Sequence, residues 1–125
     1  MGKTIKISLA TIILVTVLFP HSEAEIPISK VREVWAENVV TILTACESGG
    51  RNVSIIDSNG LPSRGILQFQ DSTWADFSKK SGIVGDPMVP EDAIEMARWG
   101  VSNGYLKRWS CYVKVPETMR KIPEA

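Results

Sequence analysis

Residues 29–50 read SKVREVWAENVVTILTACESGG and carry the strongest secondary-structure signal in the chain. Apolar side chains recur in this stretch at the spacing of an α-helix, at Val31, Val34, Trp35, Val39, Ile42, Leu43 and Cys46. Ser29 is placed to cap the start of the helix, and Gly49-Gly50 is placed to end it. We therefore expect one long helix whose apolar stripe, from Val31 to Leu43, packs into the core.

The stretch that follows this helix has the features of a turn. A short β-prone patch around Ile55 is followed by Asp57-Ser58-Asn59-Gly60, which is a turn signal. Residues 51–65 therefore predict a short, irregular hairpin or loop. Residues 66–69 fit either a turn of helix or a buried strand, because periodicity does not decide over so short a run.

Two further helices are predicted downstream. Asp71 or Ser72 can cap the first, which Gly82 ends. Pro90 opens the second, and acidic residues follow it at the positive end of the helix dipole. The predicted fold class is thus mainly α (α+β): a small domain with a short irregular or β-hairpin region after its first helix and one disulfide.

The first residues have the pattern of a secretory signal peptide. Lys3 and Lys6 precede an almost wholly apolar run over residues 7–19, and small residues lead up to Ala24. We expect cleavage after Ala24, with an uncleaved N-terminal anchor as the alternative. Residues 25–113 are then expected to form one domain and residues 114–125 a flexible tail, in a protein that is secreted, periplasmic or associated with the cell wall.

The charge balance excludes several classes of function. The chain has 14 basic and 14 acidic side chains, so no basic surface for nucleic acid is expected, and membrane contact is expected only through an uncleaved signal segment. The single histidine, His21, lies within that segment, which removes Ser-His-Asp and Cys-His catalysis and histidine-based metal centres. No metal or cofactor is predicted, and carboxylates are the expected acids and bases.

The two cysteines, Cys46 and Cys111, predict a disulfide, because export leads to an oxidising space. A metal site is the weaker alternative, since two thiolates leave a zinc ion short of ligands. Glu47, beside Cys46, is the acid with the strongest claim to chemistry. The negative end of the helix dipole and partial burial should both raise its pKa, as a general acid requires.

Three segments around these residues resemble a known family. Cys46-Glu47-Ser48-Gly49-Gly50 is followed by Gly65-Ile66-Leu67-Gln68-Phe69 and then by Ser72-Thr73-Trp74, as in the lysozyme-like domain of lytic transglycosylases. Within that superfamily the chain is most similar to small domains of the resuscitation-promoting-factor type, in which a cysteine after a tryptophan also closes the domain. The resemblance covers roughly residues 31–112.

This resemblance implies a secreted enzyme that cleaves the β-1,4 bond between N-acetylmuramic acid and N-acetylglucosamine, with peptidoglycan glycan strands as its partner and a monomer as its state. Glu47 would protonate the leaving oxygen and then accept the proton of the sugar's 6-hydroxyl, which closes a 1,6-anhydro ring. A lysozyme-type hydrolase on the same scaffold is one alternative. A glycan-binding or inhibitory module without turnover is another, and a small disulfide-stabilised protein with an unrelated partner is the plainest.

Further residues are candidates for binding substrate. Gln68 matches the glutamine of the family segment and could bind sugar or orient Glu47. Asn59 and Ser63 lie on the loop expected to form one wall of a cleft, and Tyr105 could close the other side. Asp57 is the nearest candidate for a second carboxylate, with an ordinary turn residue as the alternative.

One glycine and three tryptophans also have expected places in or near the cleft and the core. Gly65 is expected where backbone approaches it. Trp35 and Trp74 are expected in the core, whereas Trp109 could belong to the core or to a sugar-binding surface.

Overall fold

The computed structural model describes Gly2 and residues 24–125, so the predicted signal segment lies outside the described residues except for Gly2 and Ala24. Within the described part, the fold is mainly α with a small antiparallel sheet and one disulfide, as predicted. No helix in this part is both long and apolar enough to cross a lipid bilayer. The α-helices are α1 (Ile28–Glu47), α2 (Asp71–Ser81) and α3 (Pro90–Ser102). The strands are β1 (Ser54–Ile56), β2 (Pro62–Arg64) and β3 (Phe69–Gln70).

The first helix differs from its prediction at its start. Helix α1 begins at Ile28, one residue before Ser29, and no side chain caps it. Pro27 precedes the helix, and its carbonyl accepts the first backbone hydrogen bonds instead. The predicted end is confirmed. Gly49 and Gly50 adopt positive φ angles of 64° and 81°, which do not occur within a right-handed α-helix.

The predicted core stripe of α1 is correct only in part. Trp35, Val39 and Leu43 are buried, but Val31 and Val34 remain 39% and 48% exposed. These two valines lie outside the core. The core itself is built from all three helices, the chain around the sheet and the C-terminal segment. Its largest fully buried side chains are Val39, Leu43, Leu67, Phe69, Phe77, Met96, Val101 and Val115.

The predicted hairpin is confirmed and extended by a third strand. Strands β1 and β2 pair antiparallel, joined by a turn in which the Asp57 N–H binds the Leu61 carbonyl at 2.9 Å. After a turn over residues 65–68, β3 pairs with β2, and Ser63 lies opposite Gln70 in the register. This sheet brings polar residues that are distant in sequence to one edge of the molecule.

Helix α2 also lacks the predicted cap. It begins at Asp71 with Gln70 at its N-cap position, and neither Asp71 nor Ser72 caps it. The Asp71 carboxylate instead accepts a hydrogen bond from Arg64 Nε at 2.9 Å. Helix α3 agrees with its prediction, since it opens at Pro90 with acidic residues in its first turn.

The C-terminal residues are not the predicted flexible tail. Short 3-10 helices at Leu106–Arg108, Ser110–Lys114 and Glu117–Met119 carry the chain back along the domain. Val115 is fully buried, and the Trp35 indole N–H donates to the Met119 carbonyl at 2.8 Å. Arg32 Nε donates to the Pro123 carbonyl at 2.8 Å. Val115, Met119 and Pro123 thus join the end of the chain to the core and to α1.

Candidate active site

A polar groove of about 350 Å³ lies between the end of α1 and the hairpin. One side, which we call the helix-end wall, consists of Glu47 and residues 109–111. The other, which we call the hairpin wall, consists of Asp57, Asn59, Ser63 and Gln70. Gln68, Thr73 and Arg108 also line the groove. The groove therefore brings together most of the site residues predicted from the sequence.

Glu47, the last residue of α1, is partly buried in the helix-end wall. Its Oε1 atom accepts a hydrogen bond from the backbone N–H of Cys111 at 3.1 Å. Ser110 Oγ lies 3.5 Å from the same oxygen, which is too long for a strong hydrogen bond. A single backbone donor is thus the main contact that orients this carboxyl.

The pKa of Glu47 is raised above its usual 4.5, chiefly because burial disfavours the charged form. The Cys111 N–H and the Ser110 hydroxyl oppose this shift, whereas the negative charge of Asp57 adds to it. The predicted direction is confirmed, with burial as its main cause. The carboxyl of Glu47 consequently keeps its proton to higher pH than an exposed glutamate does.

The predicted disulfide joins Cys46 to Cys111 across a sequence separation of 65 residues. Cys46 directly precedes Glu47, and Cys111 supplies the N–H that Glu47 accepts. The covalent bond therefore ties together the two segments that meet at the Glu47 carboxyl. Trp109 links this junction to the turn before β3, because its indole N–H donates to the Leu67 carbonyl at 3.1 Å.

Ser48 connects the helix-end wall to the base of the hairpin. It is buried, and its hydroxyl donates to the Ile66 carbonyl at 2.7 Å and accepts from the Gly50 N–H at 3.1 Å. These two hydrogen bonds link the end of α1 to the turn before β3. The serine of the Glu-Ser pair is therefore a structural residue that holds the end of α1 against residues 65–67.

Asp57 directly precedes the turn of the hairpin, and its negative charge helps to raise the pKa of Glu47. Its Oδ2 atom accepts hydrogen bonds from the Ser63 hydroxyl and from Gln70 Nε2, the latter at 2.9 Å. Asn59, from the same turn, forms a reciprocal amide pair with Gln70 at 3.1 and 3.2 Å. The hairpin wall therefore presents a carboxylate that other side chains hold in place.

Gln68 lines the groove but does not contact Glu47. Its Nε2 donates to the carbonyls of Val53 and Gly65, at 2.9 and 2.8 Å, and its backbone has a positive φ of 51°. The side chain thus fixes the turn before β3, which leaves only its carbonyl oxygen for another partner.

Gly65 has a different neighbour from the expected one. A Cβ atom there would lie 1.9 Å from the Pro87 carbonyl oxygen, so the close approach is to the loop before α3 and not to the groove. The residue is glycine because that loop packs directly on its backbone.

Tyr105 lies outside this groove. Its ring stacks on Trp99 with centroids 5.5 Å apart and also contacts Phe77, so it belongs to an aromatic cluster on the far side of α2. Trp109 is buried and packs edge-on against Phe69, while Trp35 and Trp74 pack with the core as predicted. Packing thus accounts for Tyr105, Trp35 and Trp74, whereas Trp109 also lines the groove.

Sequence reasoning missed several residues that line the groove, chiefly Gln70, Thr73, Arg108 and Ser110. The signal for Gln70 is its place beside Phe69, because a strand that buries Phe69 points the next side chain to the opposite face. Arg108 carried no such signal, because its place follows from an ion pair with Asp76 at 2.9 Å that joins distant segments.

Comparisons with known proteins add no family to this description. No family model matches the chain, and no match was found among the curated proteins or the solved structures.

Proposed function

We propose that the protein is a secreted peptidoglycan lytic transglycosylase with Glu47 as its general acid and base. The observation that carries this proposal is the placement of Glu47: a partly buried carboxyl with a raised pKa, in a groove lined with polar side chains. Hydroxyl, amide and carboxylate groups of this kind suit the hydroxyls and acetamido groups of a glycan strand. The family resemblance of residues 31–112 supplies the substrate class.

The proposed reaction uses Glu47 twice. Its protonated carboxyl first donates a proton to the glycosidic oxygen, and the bond from that oxygen to C1 of N-acetylmuramic acid breaks. The resulting carboxylate then accepts the proton of the same sugar's 6-hydroxyl, whose oxygen bonds to C1 and closes the 1,6-anhydro ring. Glu47 regains its proton, so the cycle needs neither water nor a cofactor.

The environment of Glu47 suits both steps. A general acid must hold a proton near the working pH, and burial provides for this by disfavouring the charged form. The Cys111 N–H stabilises the carboxylate that exists between the steps and keeps it in place to accept the second proton. The disulfide fixes the segment that supplies this N–H.

A lysozyme-type hydrolase is the second candidate, and the position of Asp57 favours it. Two-carboxylate glycosidases combine a protonated acid with a carboxylate that stabilises or attacks C1 or activates water. Asp57 lies in the same groove as Glu47, and donors from β2 and β3 hold its Oδ2 atom. In this reaction water, rather than the 6-hydroxyl, would bond to C1.

The first experiment is a peptidoglycan zymogram with the protein beginning at residue 25. We expect clearing by the wild type and a loss of about 10²- to 10⁴-fold in rate for Glu47→Gln, the usual contribution of a general acid. Glu37→Gln is the matched control, because it makes the same chemical change on the same helix, at an exposed residue paired with Arg98. Equal clearing by wild type and Glu47→Gln would exclude Glu47 as the acid.

Mass spectrometry of the released fragments separates the alternatives. Anhydro ends, one water lighter than reducing ends, identify a transglycosylase, and reducing ends identify a hydrolase. Binding to glycan strands without any release would instead indicate a non-catalytic module.

A further inference from the structure

The hairpin wall contains a chain of side-chain hydrogen bonds that ends on Asp57. Ser63 and Gln70, which lie opposite each other in β2 and β3, both donate to Asp57 Oδ2. The other carboxylate oxygen, Oδ1, accepts no hydrogen bond from the described residues, so it is available to a ligand in the groove. The sheet register therefore brings both donors to one oxygen of Asp57 and leaves the other without a donor from the described residues.

The direction of this chain is determined by the backbone. The Leu61 N–H donates to Asn59 Oδ1 at 3.0 Å, which identifies that atom as the amide oxygen. Asn59 Nδ2 then donates to Gln70 Oε1 at 3.2 Å, so the remaining end of the Gln70 amide must be its NH₂ group. This NH₂ group donates to Asp57 at 2.9 Å. The Leu61 N–H thus sets the orientation of the Asn59 amide. Asn59 in turn orients the Gln70 amide so that its NH₂ group, and not its oxygen, faces Asp57.

We propose that Gln70 is a positioning residue, which Asn59 holds in one orientation and which in turn fixes the Asp57 carboxylate in the groove with Oδ1 free. This inference rests on the proposed function. In either cleavage reaction, positive charge develops at C1 in the transition state, and a fixed carboxylate stabilises it. Asn59, expected from the sequence to bind substrate, acts here through Gln70.

A purely structural role for Gln70 makes a different prediction. If the Gln70 amide only stabilises the sheet, its loss lowers turnover by the same factor whether or not Asp57 carries its carboxylate. If Gln70 acts through Asp57, its loss affects turnover only while Asp57 carries its carboxylate. A double-mutant cycle between the two residues therefore separates the roles.

The kinetic experiment uses muropeptide release by the protein beginning at residue 25. We expect Gln70→Ala and the longer Gln70→Met to lower kcat about tenfold, as for loss of a hydrogen bond to a charged group, with a change in KM below about twofold. In the Asp57→Asn background the same substitutions should cause no further loss. Asn103→Ala is the control, because it removes an amide that binds only the Trp99 carbonyl, outside the groove. An equal loss in both backgrounds would overturn the proposal.

An NMR experiment tests the contact without activity. The side-chain amide proton of Gln70 that donates to Asp57 should shift upfield in Asp57→Asn, because its acceptor loses the charge. Gln68 is the internal control, since its amide donates to two backbone carbonyls and should not respond. An unchanged Gln70 signal would contradict the proposed contact. A wild type that cleaves nothing would contradict the proposed function, while the NMR result still decides whether Gln70 holds Asp57.

Discussion

Glu47 and Asp57 share one groove, yet the two walls hold their carboxyl groups with different kinds of partner. In the helix-end wall, a backbone N–H orients Glu47, and burial raises its pKa. In the hairpin wall, the side chains of Ser63 and Gln70 donate to Asp57. Burial and a backbone N–H therefore determine the pKa and orientation of Glu47. Asp57 is instead oriented by side chains, which mutation can remove.

This difference determines how each wall responds to mutation. No side-chain substitution removes the Cys111 N–H, so the Glu47 contact changes only if the segment that carries it moves. The Asp57 contacts can be removed one at a time, and each removal leaves the backbone in place. Three further experiments act on the two walls separately.

The largest effect is expected from removing the disulfide, which anchors the helix-end wall. The double variant Cys46→Ser, Cys111→Ser should lose about 4 kcal/mol of unfolding free energy, by the chain-entropy estimate for a loop of 65 residues. Clearing in the zymogram should fall as well, since the Cys111 segment is no longer held at Glu47. Denaturant unfolding measures the first effect.

Ser110→Ala is the control for that variant. It removes only the long 3.5 Å contact to Glu47 from the same wall, and a surface change of this kind should cost less than about 0.5 kcal/mol. Equal stability of the disulfide variant and Ser110→Ala would show that the disulfide does not anchor this wall.

A smaller effect is expected at the base of the hairpin wall. Gly65→Ala places a methyl group 1.9 Å from the Pro87 carbonyl oxygen at a φ of +80°, and should cost about 3 kcal/mol of unfolding free energy. Gly60→Ala is the matched control, because its φ is +78° but no atom lies within 4 Å. The control should lose only about 1 kcal/mol, the cost of the left-handed backbone. Equal losses, measured by thermal unfolding, would mean that the loop around Pro87 moves aside.

The smallest effect is expected on the pH dependence of stability, which reflects the raised pKa of Glu47 and the nearby charge of Asp57. Because the pKa of Glu47 is raised in the folded protein, its contribution to stability is fully present below the unfolded value of 4.5 and is lost as pH rises through the folded pKa. Glu47→Gln should therefore gain stability relative to the wild type as pH rises from below 4.5 to neutral. Denaturant unfolding across that range measures this gain.

Asp57→Asn sharpens the same measurement. The charge of Asp57 contributes to raising the pKa of Glu47, so the gain from Glu47→Gln should be smaller in the Asp57→Asn background. A gain that is identical in both backgrounds would show that the two walls are electrostatically independent.

Local sequence signals predicted the elements of the fold well. The helical spacing around Val39, the paired glycines after Glu47 and the proline at position 90 each act within a few residues, and each agrees with the structure. The candidate acid and the disulfide followed from such signals together with the cysteine count. Apart from the helix caps, the predictions that were wrong depend on partners distant in sequence.

The C-terminal residues and the hairpin wall illustrate this limit. Prolines and charges near the end of the chain suggested a free tail, but the Trp35 indole, 84 residues away, provides a donor for the Met119 carbonyl. Gln70 gains its role only through strand register and the amide of Asn59. Tyr105 was placed at the groove, and the aromatic cluster with Phe77 and Trp99 holds it elsewhere.

The sequence separation of 64 between Glu47 and its backbone donor also sets an order of events during protein synthesis. When Gln70 has been added to the growing chain, every side chain of the hairpin wall has been made. The amide of Cys111 emerges much later, together with the cysteine that closes the disulfide. A nascent chain therefore carries its acid before the group that orients it has been synthesised.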